Sequence, residues 1–129
     1  MPFDWREFLI IAHELHTDRR ESAQRTCLGR AYYYVYHLGL ELAQQMRWSA
    51  PSRSVHKALW DWCQKHSDEN VKMLGTLGSR MHSLRIDSDY TTSPISDPQA
   101  VPKQLRRARD FEARVARQNG QAPPKALPL

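Results

Sequence analysis

Arg30 and His37 bracket the run Arg30-Ala31-Tyr32-Tyr33-Tyr34-Val35-Tyr36-His37, which crowds four tyrosines between a guanidinium and an imidazole. On a helix, seven residues make almost two turns, so these two side chains leave from nearly the same angular position, about 10 Å apart along the axis. They share a face without touching directly. A phosphate chain spans such a gap, with Arg30 binding phosphate oxygens and His37 moving a proton. Glu41, one turn beyond His37, is placed to hold an imidazolium or fix its tautomer. The spacing also suits a plainer arrangement, the commoner one for tyrosines at helical intervals. In it the rings pack against helices one and four while Arg30 and His37 make ordinary polar contacts.

A second cluster, Ser79-Arg80-Met81-His82-Ser83-Leu84-Arg85-Ile86-Asp87-Ser88-Asp89-Tyr90, gathers basic residues toward a helix end. Arg85 and Asp89 are four apart and suited to an ion pair, and cations in a last turn also complement the helix dipole. Weaker signals are His13 with His16 and Cys63 with His66, each three apart as helical metal ligands are. Neither pair has companion ligands nearby in sequence, so they are read as separate helix surfaces, and no metal or other cofactor is expected. There is no glycine-rich phosphate loop and no Gly-x-Ser-x-Gly elbow.

These residues need helices to hold them, and the apolar periodicity supplies five. The first runs from Phe3 to about His16, with Trp5, Phe8, Leu9, Ala12 and Leu15 on one stripe. The second, about Glu21 to Arg47, carries Ala23, Cys27, Ala31, Tyr34, Leu38 and Leu42 inward, and Gly29 within it invites a close-packing explanation. Ser49-Ala50-Pro51-Ser52 breaks the chain, with serine suited to cap the next helix. Helix three spans about Arg53 to His66, with Val55, Leu59, Trp62 and Cys63 inward; of Trp60 and Trp62, which flank Asp61, one must be partly exposed. Asp68 caps helix four, whose Met73, Leu74, Leu77, Met81 and Leu84 form a seam to about Asp87, and Gly75 and Gly78 admit a close backbone. After a turn-rich loop from Tyr90 to Pro98, Asp97-Pro98 opens a last helix to about Gln118. The fold class expected is all-α, an antiparallel bundle of four to five helices over 1–118, followed by a Pro-rich tail, 119–129, expected to be disordered.

At 129 residues the chain is the size of one ordinary domain. Its 19 Lys and Arg against 14 Asp and Glu give a net charge of +5, which favours an anionic partner such as RNA. The last helix concentrates that charge in Lys103, Arg106, Arg107, Arg109, Arg114 and Arg117, and Arg106, Arg107 and Arg109 are read as RNA-backbone contacts unless this is simply a solvated face. Two cysteines inside helical patterns fit buried thiols in a reducing cytoplasm. No apolar run approaches the roughly 18 residues of a membrane span, and the N-terminus lacks signal-peptide character, so a cytoplasmic protein without membrane contact is expected.

Arg30-Ala31-Tyr32-Tyr33-x-Val35-Tyr36-His37 in a long second helix, then His56-Lys57-Ala58-Leu59, then Leu84-Arg85-Ile86-Asp87-Ser88-Asp89-Tyr90 ending a fourth, together resemble the HEPN superfamily. The resemblance covers about residues 5 to 117. It implies an antiparallel helical bundle that commonly dimerises. Many members are metal-independent ribonucleases acting as toxins or defence effectors, some paired with a small nucleotidyltransferase antitoxin; others are non-catalytic binding or assembly modules. The ribonucleases carry Arg, four to six residues, then His, a spacing that Arg30 and His37 match. In the family that motif usually lies later in the bundle, where this chain has Arg85 followed by Asp and Tyr. Carried over, the resemblance implies Arg30, His37 and Arg85 as catalytic residues. His37 would shuttle the proton and Arg30 or Arg85 would stabilise the phosphorane, with Tyr33 and Tyr90 among the RNA contacts and Tyr32, Tyr33 and Tyr36 stacking bases where they are exposed. The implied partners are RNA, a second copy of the chain and a nucleotidyltransferase. The other reading, a non-catalytic interaction module, is told apart by whether Arg30, His37 and Arg85 converge in an open cleft.

Overall fold

A computed structural model describes residues 2–127 of the chain, leaving Met1 and the last two residues of the Pro-rich tail outside the described part. Among the described residues the secondary structure is five helices and no strand: α1 (Arg6–Leu15), α2 (Glu21–Gln45), α3 (Val55–Gln64), α4 (Glu69–Tyr90) and α5 (Ala100–Gln118). The all-α bundle expected from periodicity is what forms, and no helix among these residues is long and apolar enough to cross a membrane.

The central α2 packs on each of the others. The Cys27 thiol donates to Ala12 O while Trp5 lies on His37, so α1 runs antiparallel to α2. Arg25 reaches Ser88 and Tyr32 stacks near His82, so α4 is antiparallel as well. Gln104 donates to both Leu28 O and Met81 O, seating α5 against α2 and α4 at once.

Trp60 fixes the bundle's middle. A Cβ added at Gly78 would stand 2.4 Å from its ring, one at Gly39 3.0 Å from it, and one at Gly75 2.7 Å from the Gln64 backbone nitrogen. Three glycines on two helices thus make room for α3 and its indole. Gly75 admits a close backbone as the sequence suggests, Gly78 admits the Trp60 ring where a backbone was expected, and Gly29 has nothing within 4 Å of such a Cβ. Its burial owes nothing to close packing. On α3 the inward residues are Leu59, Trp60 and Cys63, while Trp62 is half-buried against Trp48. The choice of Trp62 as the inward tryptophan is corrected: the slot left by Gly39 and Gly78 lies on the Trp60 side. Two seam residues also turn outward, Met73 on α4 and Trp5 before α1.

The helix ends have local causes. Asp68 Oδ1 accepts from Asn70 N and Val71 N at 2.8 and 3.1 Å, the cap expected for α4. α2 closes with Trp48 N donating to Ala43 O and Arg47 N to Gln44 O around a left-handed Arg47, and α5 repeats this with Gly120. Ser54 is also left-handed and caps nothing, so α3 starts at Val55. α4 continues beyond Asp87 to Tyr90, because Arg25 Nη1 satisfies Ser88 O and Thr91 O, each at 2.7 Å. α5 starts at Ala100, later than Asp97-Pro98 suggests, since Asp97 builds a turn by accepting from Gln99 N and Ala100 N.

Past Gly120 the chain lies along α1 and α5. Arg6 Nη2 donates to Lys125 O at 2.6 Å, and the same guanidinium grips Glu112, which also accepts from Tyr34 OH at 2.7 Å.

Candidate functional site

Three helices bring a ring cluster to one face. Successive turns of α2 present Tyr32, Tyr33 and Tyr36, the first turn of α3 presents His56, and α4 presents His82 and Arg85. His56 is sandwiched, its ring centroid 4.0 Å from that of Tyr36 and 5.1 Å from that of His82, both nearly parallel to it. Tyr32 closes the cluster from below at 5.2 Å from His82. The pairing of α3 with α4 that Gly75 and Gly78 permit is what sets His56 beside His82.

The hydrogen bonds favour one tautomer of His56. Trp60 Nε1 can only donate, and it donates to Tyr32 OH at 3.1 Å. With Trp60 as donor, the arrangement that leaves no buried donor unused has Tyr32 giving its proton to His56 Nδ1, 2.5 Å away. Neutral His56 therefore carries its hydrogen on Nε2 and offers a donor there. Burial, reinforced by the charges of His82, Arg85 and His37, brings its pKa down to about 4. Burial and then Arg85 also lower His82, whose ring nitrogens make no hydrogen bond among the described residues. The pair thus offers one fixed donor and one uncommitted proton acceptor near neutral pH.

Arg85 supplies the charge. Its Nη2 donates to Tyr33 OH and its guanidinium carbon lies 4.9 Å from the Tyr33 ring centroid. Its Nε is 2.9 Å from Asp89 Oδ2, an ion pair in which the N–H is not aligned as a hydrogen bond. The ion pair expected from the spacing of Arg85 and Asp89 forms, and it leaves donors of the guanidinium for a ligand.

The residues named from the sequence separate into groups. Arg30 lies 4.8 Å over the Phe8 ring and 5.7 Å over that of Tyr33, so Arg30 and Arg85 meet at the same tyrosine. His37 sits at the edge of the cluster, edge-on to Tyr36 at 5.2 Å and stacked 3.5 Å from Trp5 at an interplanar angle of 6°. No hydrogen bond joins it to Arg30 or Glu41 among the described residues. Tyr90 is 73% exposed, its ring 6.0 Å from the Arg85 guanidinium. Arg106 and Arg109 border a groove beneath Pro123 and Pro124, whereas Arg107 opens into a cleft between α4 and α5. The three arginines of α5 do not form one patch.

In the sequence His56 and His82 stand only as members of longer motifs, and neither is assigned a role in a site. The signal lay in the glycines: α3 packed against α4 at Gly75 and Gly78 puts the first turn of α3 beside the turn holding His82. The histidine and cysteine pairs make no metal centre, and no group of three His, Cys, Asp or Glu suited to a metal ion occurs among the described residues. His16 bonds the His13 carbonyl, and His66 accepts from Asp68 N. No protein-family model, curated protein or solved structure matches this chain.

Proposed function

We propose that the His56, His82, Arg85 and Tyr33 face binds the phosphodiester backbone of RNA and cleaves it without a metal, as a HEPN-like domain. The observation that carries this reading is the pairing of a donor-locked imidazole with an uncommitted one beside a guanidinium. The 2′-hydroxyl of the bound strand attacks the adjacent phosphorus, giving its proton to His82. The P–O5′ bond breaks and His82 returns that proton to the 5′-oxygen, leaving a 2′,3′-cyclic phosphate. Arg85 and the Nε2–H of His56 hydrogen-bond the phosphorane oxygens. Proton transfer is assigned to His82, whose ring stacks on His56 one turn from Arg85, in preference to His37, which stacks on Trp5 outside that pair. Arg30, across Tyr33 from Arg85, contributes charge to the neighbouring phosphate.

A second reading, a non-catalytic module docking a partner or a second copy, draws on the exposed Ile10 and Ile11 of α1 and Phe3 before it. The toxin and nucleotidyltransferase settings rest on the family resemblance alone. Incubating the purified chain with total RNA in chelator separates the readings. With folds checked by circular dichroism, His82→Gln and Arg85→Gln are expected to lower cleavage by about 10²-fold or more, and His37→Ala to leave it near wild type. Wild-type protein that leaves RNA intact would pass the argument to the docking module.

A further inference from the structure

Residues 121–127 carry no helix, yet they are seated on the body of the protein. Gln121 N donates to Ala116 O at 2.8 Å, Arg6 Nη2 donates to Lys125 O at 2.6 Å, and Leu127 packs against the core. Between those anchors Pro123 and Pro124 pass over α5. Neither has an N–H, so this stretch needs no acceptor from the side of the helix, and the ring-fixed φ keeps it extended before it docks.

The seat is built for a backbone, and it is underfilled. Glu112 accepts from Arg6 Nε and Nη2, both at 3.2 Å, so the guanidinium is oriented and its charge already balanced. The donor it keeps for the segment therefore suits a neutral peptide carbonyl better than a second anion. On one side of Pro124 a cavity of about 210 Å³ opens onto Leu38, Leu42 and Val115, and on the other a cavity of about 500 Å³ lies over Ala113 between Arg106 and Arg109. Ala122 borders the first and Ala126 the second, and a methyl group fills neither. Residues 121–126 are exposed throughout, and only Leu127 is half-buried. A segment held so lightly is an occupant that a better-fitting one displaces.

We propose that the groove formed by α1, α2 and α5 is a docking site for an extended proline-rich segment of a partner protein, and that residues 121–127 are its built-in occupant, displaced when the partner binds. Capture of a backbone carbonyl by Arg6 supplies affinity, and the two cavities select side chains. The favoured partner keeps the paired prolines and carries a larger apolar side chain where Ala122 stands. Tethering holds the chain's own segment at a high effective concentration, so only a tighter sequence replaces it. The proposal is independent of the RNA reading, with which it shares no residue.

The test is an NMR titration of the full chain with a synthetic peptide of the sequence 121–127, in the wild type and in a Pro124→Gly/Leu127→Ser double variant. The double variant loosens the chain's own segment and leaves every helix of the groove unaltered. Saturable amide shifts confined to 34–45 and 109–118 are expected in it. The wild type should bind the same peptide at least about tenfold more weakly, because its tethered segment competes. A peptide carrying Ala122→Leu should bind about tenfold more tightly, from the apolar surface it buries. One carrying both Pro123→Ala and Pro124→Ala should bind about tenfold more weakly, since it must be ordered on docking. A scrambled peptide that binds as well, equal affinity of the two proteins, no saturable shift in the double variant or no gain from Ala122→Leu would each overturn the proposal. Loss of the fold in the double variant, read by circular dichroism, would overturn it too, because the segment would then be part of the core and not an occupant.

Discussion

Gly78 and Gly29 are both buried helix-interior glycines, and they answer the same substitution in opposite ways. A methyl at Gly78 would stand 2.4 Å from Trp60, a rigid ring held by its bond to Tyr32, so neither partner can yield cheaply. Gly78→Ala is expected to destabilise by about 3 kcal/mol, the upper part of the overpacking range. At Gly29 the methyl meets nothing within 4 Å, and alanine's helix preference should win by roughly 0.5–1 kcal/mol. Urea denaturation of the two variants reads both signs. His56 gives a pH dependence at the same scale. Its folded pKa is brought down to about 4 from an ordinary 6.5, so between those values the unfolded chain binds more protons. The His56 contribution to stability is complete above about pH 6.5 and is lost as pH falls through about 4. His56→Gln should flatten the fall in urea midpoint across that window; an unchanged profile would place the titration elsewhere. Sequence spacing made the individual residue types legible but left their partners hidden. Arg30 and His37 do share one helix, yet His82 and His56, which surround Tyr32, come from segments that only tertiary packing joins.

At the scale of elements, periodicity located all five helices because each has an apolar stripe that must be covered. It misjudged ends, where single long-range side chains decide. Arg25 is the clearest case: a residue of α2 satisfies carbonyls at the end of α4 and of the segment after it, which no local pattern on α4 announces. Arg25→Gln should cost about 2 kcal/mol, the scale of hydrogen bonds made by a charged group, and should speed amide exchange over 88–97 selectively. Arg25→Lys should not restore protection, because an ammonium cannot reproduce the planar fork that spans three carbonyls. Protection equal to wild type in Arg25→Lys would mean that charge alone holds the segment. The tryptophan assignment failed for a related reason. Helical spacing admits either Trp60 or Trp62 as the inward residue, and the decision belongs to Gly39 and Gly78 on other helices.

Across the whole molecule, one buried acid ties distant parts together. Glu112 of α5 accepts from Arg6 at the start of α1 and from Tyr34 of α2, and Arg6 in turn reaches Lys125 O in the C-terminal segment. Removing the carboxylate leaves the buried Tyr34 phenol without its acceptor and the half-buried Arg6 guanidinium with Lys125 O but no anion. Glu112→Ala should therefore lose about 3 kcal/mol, and Glu112→Gln, which keeps one acceptor, should lose less. Calorimetric unfolding of both variants checks the order; equal losses would mean that packing, not the acceptor, matters there. This node was invisible in the sequence because the last helix reads as a basic stripe, and Glu112 looks like one of its few solvated counter-charges.

The two thiols give the bundle built-in clocks. Cys27 is sealed where α1 lies on α2, its hydrogen directed at Ala12 O, and Cys63 is sealed where α3 meets Gly75 of α4. Burial pushes both up to about 12, so neither reacts from the closed state. A thiol reagent reaches Cys27 only when the first helical pair parts, and Cys63 only when the second does. The wild-type chain therefore reports, without any engineered label, whether its two halves breathe together or in turn.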